Sequence, residues 1–410
     1  MINKSTLYFY NLHTKKIHHP MNDYKNIKIG LFTVHRLNNR VGGTEKVLCN
    51  MANAFSDFGY SVSIIYCDET PGIPFFRLNS DIITINTFTK IPFFSRQLFR
   101  NLRSFSLDKQ KKYRKRKIIE CNWKGQSIKS AISHHLSDFS IFVCFDFESV
   151  YILKAILSTD HPIIVTLQTA PELAFSDHKN DLFFSHIDSC SALHILMPEF
   201  KDPCRKLFPK VPIIHIPNST PKIEISPQYS NKKIICVSRF DPEKRPELLV
   251  QAFSLLSPHY PDWSVEFWGR PNGRNTRNLE ALIKKEKLHN KFKLCGTTNN
   301  IADKLSKASI FVIPSKFEGF CLSLIEAMAT GLPSVGMKDC PAVNSLIQNN
   351  ISGILASPTP ESLASSIEQL ITNEELRQNM GQKAKTLAAS FSEESVWNQW
   401  KDLILKLIVK

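Results

Sequence analysis

Two acidic residues, Glu318 and Glu326, are separated by seven residues in the segment FVIPSKFEGFCLSLIEAMATGLPSVG. The pattern predicts a strand ending near Pro314, a loop carrying Glu318, and a helix opened by Gly319 and Phe320. Carboxylates accept hydrogen bonds from vicinal hydroxyls, and free N–H groups at a helix start attract anions. This arrangement suits sugar hydroxyls that flank a diphosphate. The alternative, two surface acids, does not explain why Glu326 lies in the small and apolar stretch LSLIEAMATG.

Two cations, Arg239 and Lys244, occur in VSRFDPEKRPELLVQAF, between a predicted strand and a helix that Pro246 can initiate. Arginine can bind a phosphate through two parallel hydrogen bonds, and lysine provides a point charge. The pair could therefore hold a diphosphate. On these residues alone, two solvated surface charges are an equally good interpretation.

A glycine pair, Gly42 and Gly43, precedes Thr44 and a predicted helix. Glycines permit close backbone approach, and the helix start favours a phosphate. A plain strand-to-helix turn fits as well. The pattern GxGxxG is absent from this loop, which argues against an ordinary dinucleotide fold.

These motifs depend on a strand–helix alternation that occurs twice in the chain. Apolar runs typical of buried parallel strands lie at 28–34, 61–66, 82–85, 140–145, 163–167, 193–196 and 213–216, and again at 233–238, 264–268, 291–294 and 310–313. Helical patterns separate them, notably at 246–256 and 322–330. We therefore predict an α/β protein of two Rossmann-like doubly wound domains facing each other across a cleft.

A polar, proline-bearing stretch, NSTPKIEISPQYSN, predicts a linker between the two series of strands. The predicted organisation is an N-terminal extension (1–26), a first domain (27–218), a linker (219–231), a second domain (232–392) and a C-terminal helix (393–410). The amphipathic pattern VWNQWKDLILKLIV supports that helix, which either closes the second domain or crosses back to the first.

The composition is that of a globular protein with two hydrophobic cores. The chain has 410 residues, of which 42% are hydrophobic and 22% charged, so it is not a largely disordered protein. Its net charge of +15 favours anionic partners. No apolar stretch is long enough for a signal peptide or a membrane span, and the ten cysteines contain no CxxC pair. We expect a cytoplasmic protein.

The second half resembles the retaining glycosyltransferases of family 4, which have the GT-B fold. The resemblance is carried by SRFDPEKRPELL, FEGFCLSLIEAMATGLPSVG, CPAVNSLI and NISGIL. It covers about residues 27–400 and is weaker in the first half, where GGTEKVLCNMANAF and IIHIPNST carry it. The resemblance implies that the first domain serves the acceptor and the second binds a nucleotide sugar.

Eleven positions match the family's donor-binding residues: Gly43, Arg239, Lys244, Gly296, Thr297, Glu318, Gly319, Phe320, Cys321, Leu322 and Glu326. By this resemblance, Arg239 and Lys244 bind the diphosphate, Glu326 holds the ribose, and Glu318 meets the donor sugar. Gly43 approaches the phosphates, and the Gly296–Thr297 pair meets the base. The predicted catalytic residues are Arg239, Lys244, Glu318 and Asp146.

Asp146 is included because of one departure from the family. Many members carry an N-domain histidine at the cleft, whereas the comparable strand ends here offer Asp146, Glu148 and Gln168. We interpret His35 and His161 as structural. Retaining transfer does not require a protein base, because the departing diphosphate can accept the acceptor's proton on the same face. Asp146 is kept as an acceptor-side or catalytic residue.

The sequence thus predicts transfer of a sugar from a nucleotide diphosphate sugar, with UDP the more common family donor, to a glycan or lipid-linked acceptor with retention of configuration. Surface polysaccharide or lipopolysaccharide synthesis is the expected setting. No cofactor or metal is required, since no DxD pair stands at a strand end. A GT-B nucleotide-sugar epimerase or phosphorylase is the alternative among enzymes.

A basic run, KQKKYRKRK at 109–117, has seven cations in nine residues. With the phenylalanines and arginines before it, the segment 92–117 predicts peripheral attachment to an anionic membrane, at the inner face of the cytoplasmic membrane. A solvated helix with its phenylalanines in the core is an equal alternative. A nucleic-acid-binding protein, the competing class, should interleave aromatic residues with the cations, and only Tyr113 does so.

Overall fold

Two parallel β-sheets carry the fold in the computed structural model, which describes residues 24–87, 109–175 and 182–409. The first sheet has the order β3-β2-β1-β4-β5-β6-β7. Its strands are β1 (Lys28–Phe32), β2 (Ser61–Tyr66), β3 (Ile83–Asn86), β4 (Ile141–Cys144), β5 (Ile163–Leu167), β6 (Ala192–Ile195) and β7 (Ile213–His215). Every residue of β4 and β5 is buried, as expected for central strands covered by helices on both faces.

The second sheet has the order β10-β9-β8-β11-β12-β13, again with parallel pairing. Its strands are β8 (Lys233–Val237), β9 (Ser264–Trp268), β10 (Phe292–Gly296), β11 (Ile310–Ile313), β12 (Ser334–Met337) and β13 (Gly353–Ala356). The predicted α/β architecture of two Rossmann-like doubly wound domains is confirmed.

Helices cover both sheets and connect successive strands. Within the described residues they are α1 (Gly43–Asp57), α2 (Lys109–Ile132), α3 (Phe147–Tyr151), α4 (Pro171–Ala174), α5 (Lys201–Leu207), α6 (Pro246–Leu256), α7 (Gly273–Lys285), α8 (Ile301–Ser306), α9 (Leu322–Thr330), α10 (Pro341–Leu346), α11 (Pro360–Thr372), α12 (Glu374–Ala388) and α13 (Glu393–Ile408). The predicted helices 246–256 and 322–330 correspond to α6 and α9.

Each sheet has a point where the strand order reverses, between β1 and β4 in the first and between β8 and β11 in the second. The loops leaving these four strands diverge to opposite faces of the sheet, so they leave a crevice beyond the carboxyl ends. The β1–α1 loop carries the glycine pair, the β8–α6 loop carries Arg239 and Lys244, and the β11–α9 loop carries Glu318. The topology therefore places the predicted motifs at the carboxyl-end edge of the sheet in both domains.

The C-terminal helix α13 packs against the first sheet's side of the molecule. Trp397 and Trp400 are buried and lie edge-on to Phe55 of α1, with ring centroids 6.5 and 6.4 Å from it. The ring of Trp400 also lies 4.5 Å from that of His194 on β6, with the two planes tilted by 54°. Burial lowers the pKa of His194 to about 3, so this imidazole is neutral in the folded protein. Of the two arrangements considered, α13 thus adopts the one that crosses back.

Several sequence predictions fall outside the described residues. Residues 1–23 of the predicted extension and residues 92–108 of the predicted membrane-binding segment are among them. The ten cysteines are all within the described part of the chain, and all are free thiols. No helix of the described ranges is long and apolar enough to cross a bilayer.

Candidate active site

A cleft of about 620 Å³ separates the carboxyl ends of the two sheets. All eleven positions of the predicted donor-binding set line it. They come from four segments of the chain, on both domains. Of the predicted catalytic residues, Arg239, Lys244 and Glu318 line the cleft and Asp146 does not.

The amino terminus of α1 forms one wall of the cleft. Gly42 is its N-cap residue in an extended conformation, and no side chain caps the helix. The first N–H groups of this 15-residue helix therefore remain available to a ligand at its positive end. The helix is held in place by an apolar face that includes Leu48, Met51 and Phe55, all buried in the first domain.

A side chain at Gly43 would not clash with any other atom of the protein. A Cβ at this position would make only an ordinary contact, 3.6 Å from Cδ1 of Leu322 on the other domain. We therefore expect Gly43→Ala to fold with an unchanged melting temperature while its affinity for UDP falls about tenfold, since the methyl group would occupy the space of a phosphate. Thermal unfolding and UDP titration on the same samples check this. Unchanged UDP affinity would show that no phosphate approaches Gly43.

The amino terminus of α9 forms the facing wall. Its N-cap residue, Cys321, has a left-handed backbone with φ 65° and ψ 64°, and no side chain caps the helix. From Leu324 to Thr330 every residue is buried, so the helix is fixed by its apolar sequence and its first N–H groups point to the cleft. Burial raises the pKa of the Cys321 thiol well above its usual range. Cys321 therefore stays protonated at neutral pH and cannot serve as a thiolate nucleophile.

The loop before α9 touches the first domain through Gly319. A Cβ on Gly319 would lie 3.0 Å from the carbonyl carbon of Gln168, nearer still to its oxygen, and 3.1 Å from Cα of Thr169. Such contacts involve backbone on both sides, so no side-chain rotation can relieve them. Glycine at this position is therefore what allows the two domains to meet at the cleft.

Lys244 and Glu318 form an ion pair in the second domain, with Nζ 2.8 Å from Oε1 and each side chain 12% exposed. Lys244 Nζ also donates to the carbonyl of Phe317 at 3.0 Å. The β8–α6 and β11–α9 loops are joined by a backbone hydrogen bond from Lys316 to Glu243. These bonds hold the ammonium and the carboxylate side by side where the donor sugar and diphosphate are expected.

Arg239 lies at the rim of the cleft, and its side chain is 59% exposed. Its guanidinium pairs with Asp241 at 2.6 Å and with Glu243 at 3.1 Å. These two acids hold the guanidinium beside the cleft. Because Arg239 is exposed, it can turn toward an anion with little loss of buried contact.

Glu326 is buried in α9 and pairs with Lys46, which belongs to the first turn of α1 on the other domain. The sequence analysis did not identify Lys46. The signal was available, because Lys46 lies three residues after the glycine pair in GGTEK.

The cleft is positively charged overall. The cations that line it are Arg40, Lys46, Arg239, Lys244 and Arg270, and the acids are Glu45, Glu243, Glu318 and Glu326. The Nε atom of Arg40 is buried and has no hydrogen-bond partner among the described residues. Together with two helix amino termini, this excess favours a ligand with several negative charges, such as a diphosphate.

The far end of the cleft is formed by Gly296 and Thr297, next to Trp268 and Arg270. Gly296 has φ +73°, and its carbonyl accepts a hydrogen bond from the Gly269 amide at 2.8 Å. This left-handed backbone turns the chain after β10 so that Thr297 faces the cleft. That Gly296 and Thr297 meet the base stays a prediction, and Trp268 and Arg270 are cleft residues that sequence reasoning missed.

Asp146 has a structural position. It is the N-cap of α3, where it accepts hydrogen bonds from the amide and hydroxyl of Ser149, both at 2.7 Å. Its second oxygen accepts from Thr33 Oγ1 at 2.8 Å and from the amide of Val34 at 3.0 Å. With both oxygens engaged inside the first domain, Asp146 ties β1 to β4. The structure does not bring it to the predicted catalytic residues.

Glu148, the other acid at this strand end, is also engaged. Burial acts to raise its pKa, but the charge and hydrogen bond of Lys117, 2.5 Å away, outweigh burial and lower it. Glu148 is therefore a paired carboxylate rather than a free base. Gln168, by contrast, lines the cleft.

Among the described residues, no group of three or more His, Cys, Asp or Glu side chains could hold a metal ion. The sequence-based expectation that transfer needs no metal stays a prediction.

Part of the chain matches a known family model, and several known proteins are similar in sequence. Residues 221–387 match the family model described as "Glycosyl transferases group 1". An uncharacterized glycosyltransferase of Haemophilus influenzae is 26% identical over 384 residues, 92% of this chain and 99% of that protein. An exopolysaccharide phosphotransferase of Streptomyces coelicolor is 30% identical over 47% of this chain, and a poly(glycerol-phosphate) alpha-glucosyltransferase of Bacillus subtilis is 27% identical over 43%. The matched parts are 21% and 26% of those two proteins.

Solved structures share the fold. A sucrose-phosphate synthase from Thermosynechococcus elongatus superposes with a TM-score of 0.75 at 17% identity, covering 93% of this chain and 99% of that one. Anabaena HepE, solved with UDP and glucose, gives 0.69 at 14% identity, with coverage of 93% and 99%. The matched domain and the shared fold support a glycosyltransferase of the GT-B fold.

Proposed function

We propose that the protein transfers a glycosyl group from a nucleoside diphosphate sugar, with a UDP-sugar as the first candidate, to a glycan or lipid-linked acceptor with retention of configuration. The observation that carries this proposal is the meeting of two uncapped helix amino termini, Arg239, Lys244, Glu318 and Glu326 in one cleft between the domains. The complex of HepE with UDP and glucose supports the choice of donor.

The proposed chemistry breaks the bond between the sugar's anomeric carbon and the diphosphate oxygen. Negative charge grows on the departing diphosphate, where Lys244, Arg239 and the N–H groups of α1 and α9 stabilise it. The acceptor hydroxyl forms the new bond on the face that the diphosphate leaves, and the diphosphate oxygen takes its proton. No protein base is needed in this scheme, in keeping with the enclosed position of Asp146.

The charge in the cleft makes a metal ion unnecessary in the proposed reaction. Two helix amino termini and two cations next to the diphosphate position supply the stabilisation that a divalent ion provides in other enzymes. No other cofactor is proposed.

The acceptor is proposed to enter along the first domain. Phe76, Leu173, Gln168 and Thr169 line that side of the cleft. At the edge of the cleft, the amide of Asn39, in the loop before the glycine pair, donates a hydrogen bond to the carbonyl of Ile73. The side chain of Ile73 is 77% exposed. Apolar side chains beside polar ones suit the faces and hydroxyls of a sugar or the chain of a lipid carrier.

We place the reaction in surface polysaccharide or lipopolysaccharide synthesis, on the cytoplasmic side. The names of the Streptomyces and Bacillus relatives, which refer to exopolysaccharide and poly(glycerol-phosphate), support this setting. Peripheral attachment to an anionic membrane through residues 92–117 stays a prediction.

The test is an assay of the purified protein against UDP-, GDP- and ADP-sugars with candidate acceptors, followed by NMR assignment of the product's anomeric configuration. Consumption of the nucleotide sugar only when an acceptor is present would favour transfer over the epimerase or phosphorylase alternative. An inverted product would refute retention while leaving the donor class in place. A protein that consumes no nucleotide sugar with any acceptor would refute the proposal.

Glu326→Ala gives a more specific test of the site. A ribose contact exists in both the ground state and the transition state, so its loss should raise the donor KM about tenfold and change kcat much less. Both quantities are measured by steady-state kinetics with the nucleotide sugar that the preceding assay identifies as the donor. A variant with an unchanged KM and a strongly reduced kcat would place Glu326 at the reacting sugar instead.

A further inference from the structure

The ion pair between Lys46 and Glu326 joins the two domains inside the cleft. Lys46 is in the first turn of α1 and Glu326 in the second turn of α9, and 280 positions separate them along the chain. The Lys46 side chain is 25% exposed and that of Glu326 is 8% exposed. Among the described residues, Glu326 has no ion pair other than this one.

The pair of Lys46 and Glu326 borders two cavities of very different size. Both side chains line the cleft. They also border a second cavity of about 10 Å³, whose other walls include Asn218, the linker residues Ser219 and Pro221, and Trp397 of α13. A space of this size holds at most one water molecule. A sugar or a nucleotide can therefore reach Glu326 from the cleft but not through this cavity.

The geometry leaves part of the Glu326 carboxylate available. A carboxylate has about four acceptor positions on two oxygens, and the ammonium of Lys46 occupies one at Oε1. Two vicinal hydroxyls could bind at the remaining positions. The other cations near the diphosphate position are engaged elsewhere, Lys244 with Glu318 and Arg239 with Asp241 and Glu243.

Removing the ammonium would leave a buried carboxylate without a counter-charge. A carboxylate in that position gains by turning toward solvent, and this movement takes its acceptor oxygens away from the hydroxyls. The orientation of Glu326 therefore depends on a residue from the opposite domain.

We propose that Lys46 is a positioning residue that orients the Glu326 carboxylate for the vicinal hydroxyls of the donor's ribose, so that recognition of the nucleoside requires the first domain. This inference rests on the proposed function. The donor site is then completed across the domain boundary, and the first domain contributes to donor affinity through Lys46 as well as to acceptor binding.

The experiment compares UDP with 2′,3′-dideoxy-UDP, which lacks both ribose hydroxyls, by calorimetric titration. Lys46→Met keeps the length of the side chain and removes its charge. We expect this variant to bind UDP about 10- to 100-fold more weakly than the wild type and to bind the dideoxy nucleotide within about threefold of it. Lys46→Arg, which restores the cation, should recover most of the preference for UDP.

The control variant is Glu199→Gln. Glu199 accepts a hydrogen bond from Ser345 across the domain boundary and does not line the cleft. Weakening that contact should leave the ratio of the two affinities unchanged. If Glu199→Gln lowers the ratio as Lys46→Met does, domain closure in general is responsible and the assignment to Lys46 is wrong.

Other outcomes separate this inference from the proposed function. A Lys46→Met variant that loses affinity equally for both nucleotides would overturn the positioning role, as would a wild type that does not distinguish them. A wild-type protein that binds none of UDP, ADP and GDP would refute the proposed function itself. Should ADP or GDP bind in place of UDP, the same comparison is made with that nucleotide and its dideoxy form.

Discussion

Replacing Lys244 by alanine is expected to lower kcat about 10- to 150-fold, because a charge-assisted contact with the departing diphosphate is worth roughly 1.5–3 kcal/mol. The negative charge on the diphosphate grows as the glycosidic bond breaks, so the loss should appear in kcat more than in the donor KM. Lys244 also pairs with Glu318 at 2.8 Å, so the variant leaves a largely buried carboxylate next to the phosphates. This second effect acts in the same direction.

Steady-state kinetics with varied donor, and circular dichroism to establish folding, measure this prediction. Lys316→Ala is the matched control, since Lys316 is an exposed lysine in the loop of Glu318 and does not line the cleft. Its kcat should stay within about twofold of the wild type, as for a surface change that touches no ligand. Arg239→Ala belongs in the same series and is expected to fall in the same range. A folded Lys244→Ala enzyme with wild-type turnover would refute the diphosphate assignment.

Gly319→Ala is expected to reduce kcat/KM about 100-fold, although it adds a single methyl group. The new Cβ would meet the backbone of Gln168 and Thr169 on the first domain at 3.0 and 3.1 Å or less. Since the backbone cannot rotate away, the two domains must separate locally. A displacement of about 1 Å at a reacting centre costs on the order of 100-fold in rate.

Kinetics and small-angle X-ray scattering test this prediction together. The variant should show a larger radius of gyration than the wild type, with a similar melting temperature because each domain keeps its own core. Lys316→Ala again serves as the control, three residues earlier in the same loop. A Gly319→Ala enzyme with wild-type kcat/KM would show that the domains need not meet at Gln168 during turnover.

Local sequence patterns predicted many of the strands and helices, and the family resemblance predicted part of the cleft lining. The helix 246–256 was predicted with the bounds that the structure has, because Pro246 marks its start. For the helix 322–330, Gly319 and Phe320 were predicted to open it, whereas the structure places both residues before its N-cap residue, Cys321. All eleven donor-binding positions predicted from the resemblance line one cleft. Parallel strands end at one edge of their sheet, so motifs that follow strands were bound to meet there.

From the amino-acid sequence we could predict eleven of the thirteen strands within the described residues, the two-domain α/β architecture and the loops that reach the cleft, but not β12 and β13. The predicted features follow from hydrophobic periodicity and from turn residues, which act between near neighbours in the chain. Three contacts became known only from the folded protein: Lys46 pairs with Glu326, Gly319 meets Gln168, and α13 packs against Phe55. The structure also shows that one carboxylate oxygen of Asp146 caps α3 while the other joins the end of β1 to the end of β4. Each of these three contacts joins residues more than 100 positions apart. Such contacts depend on how the two domains are placed against each other. Local sequence patterns do not predict them, because those patterns report only on near neighbours in the chain.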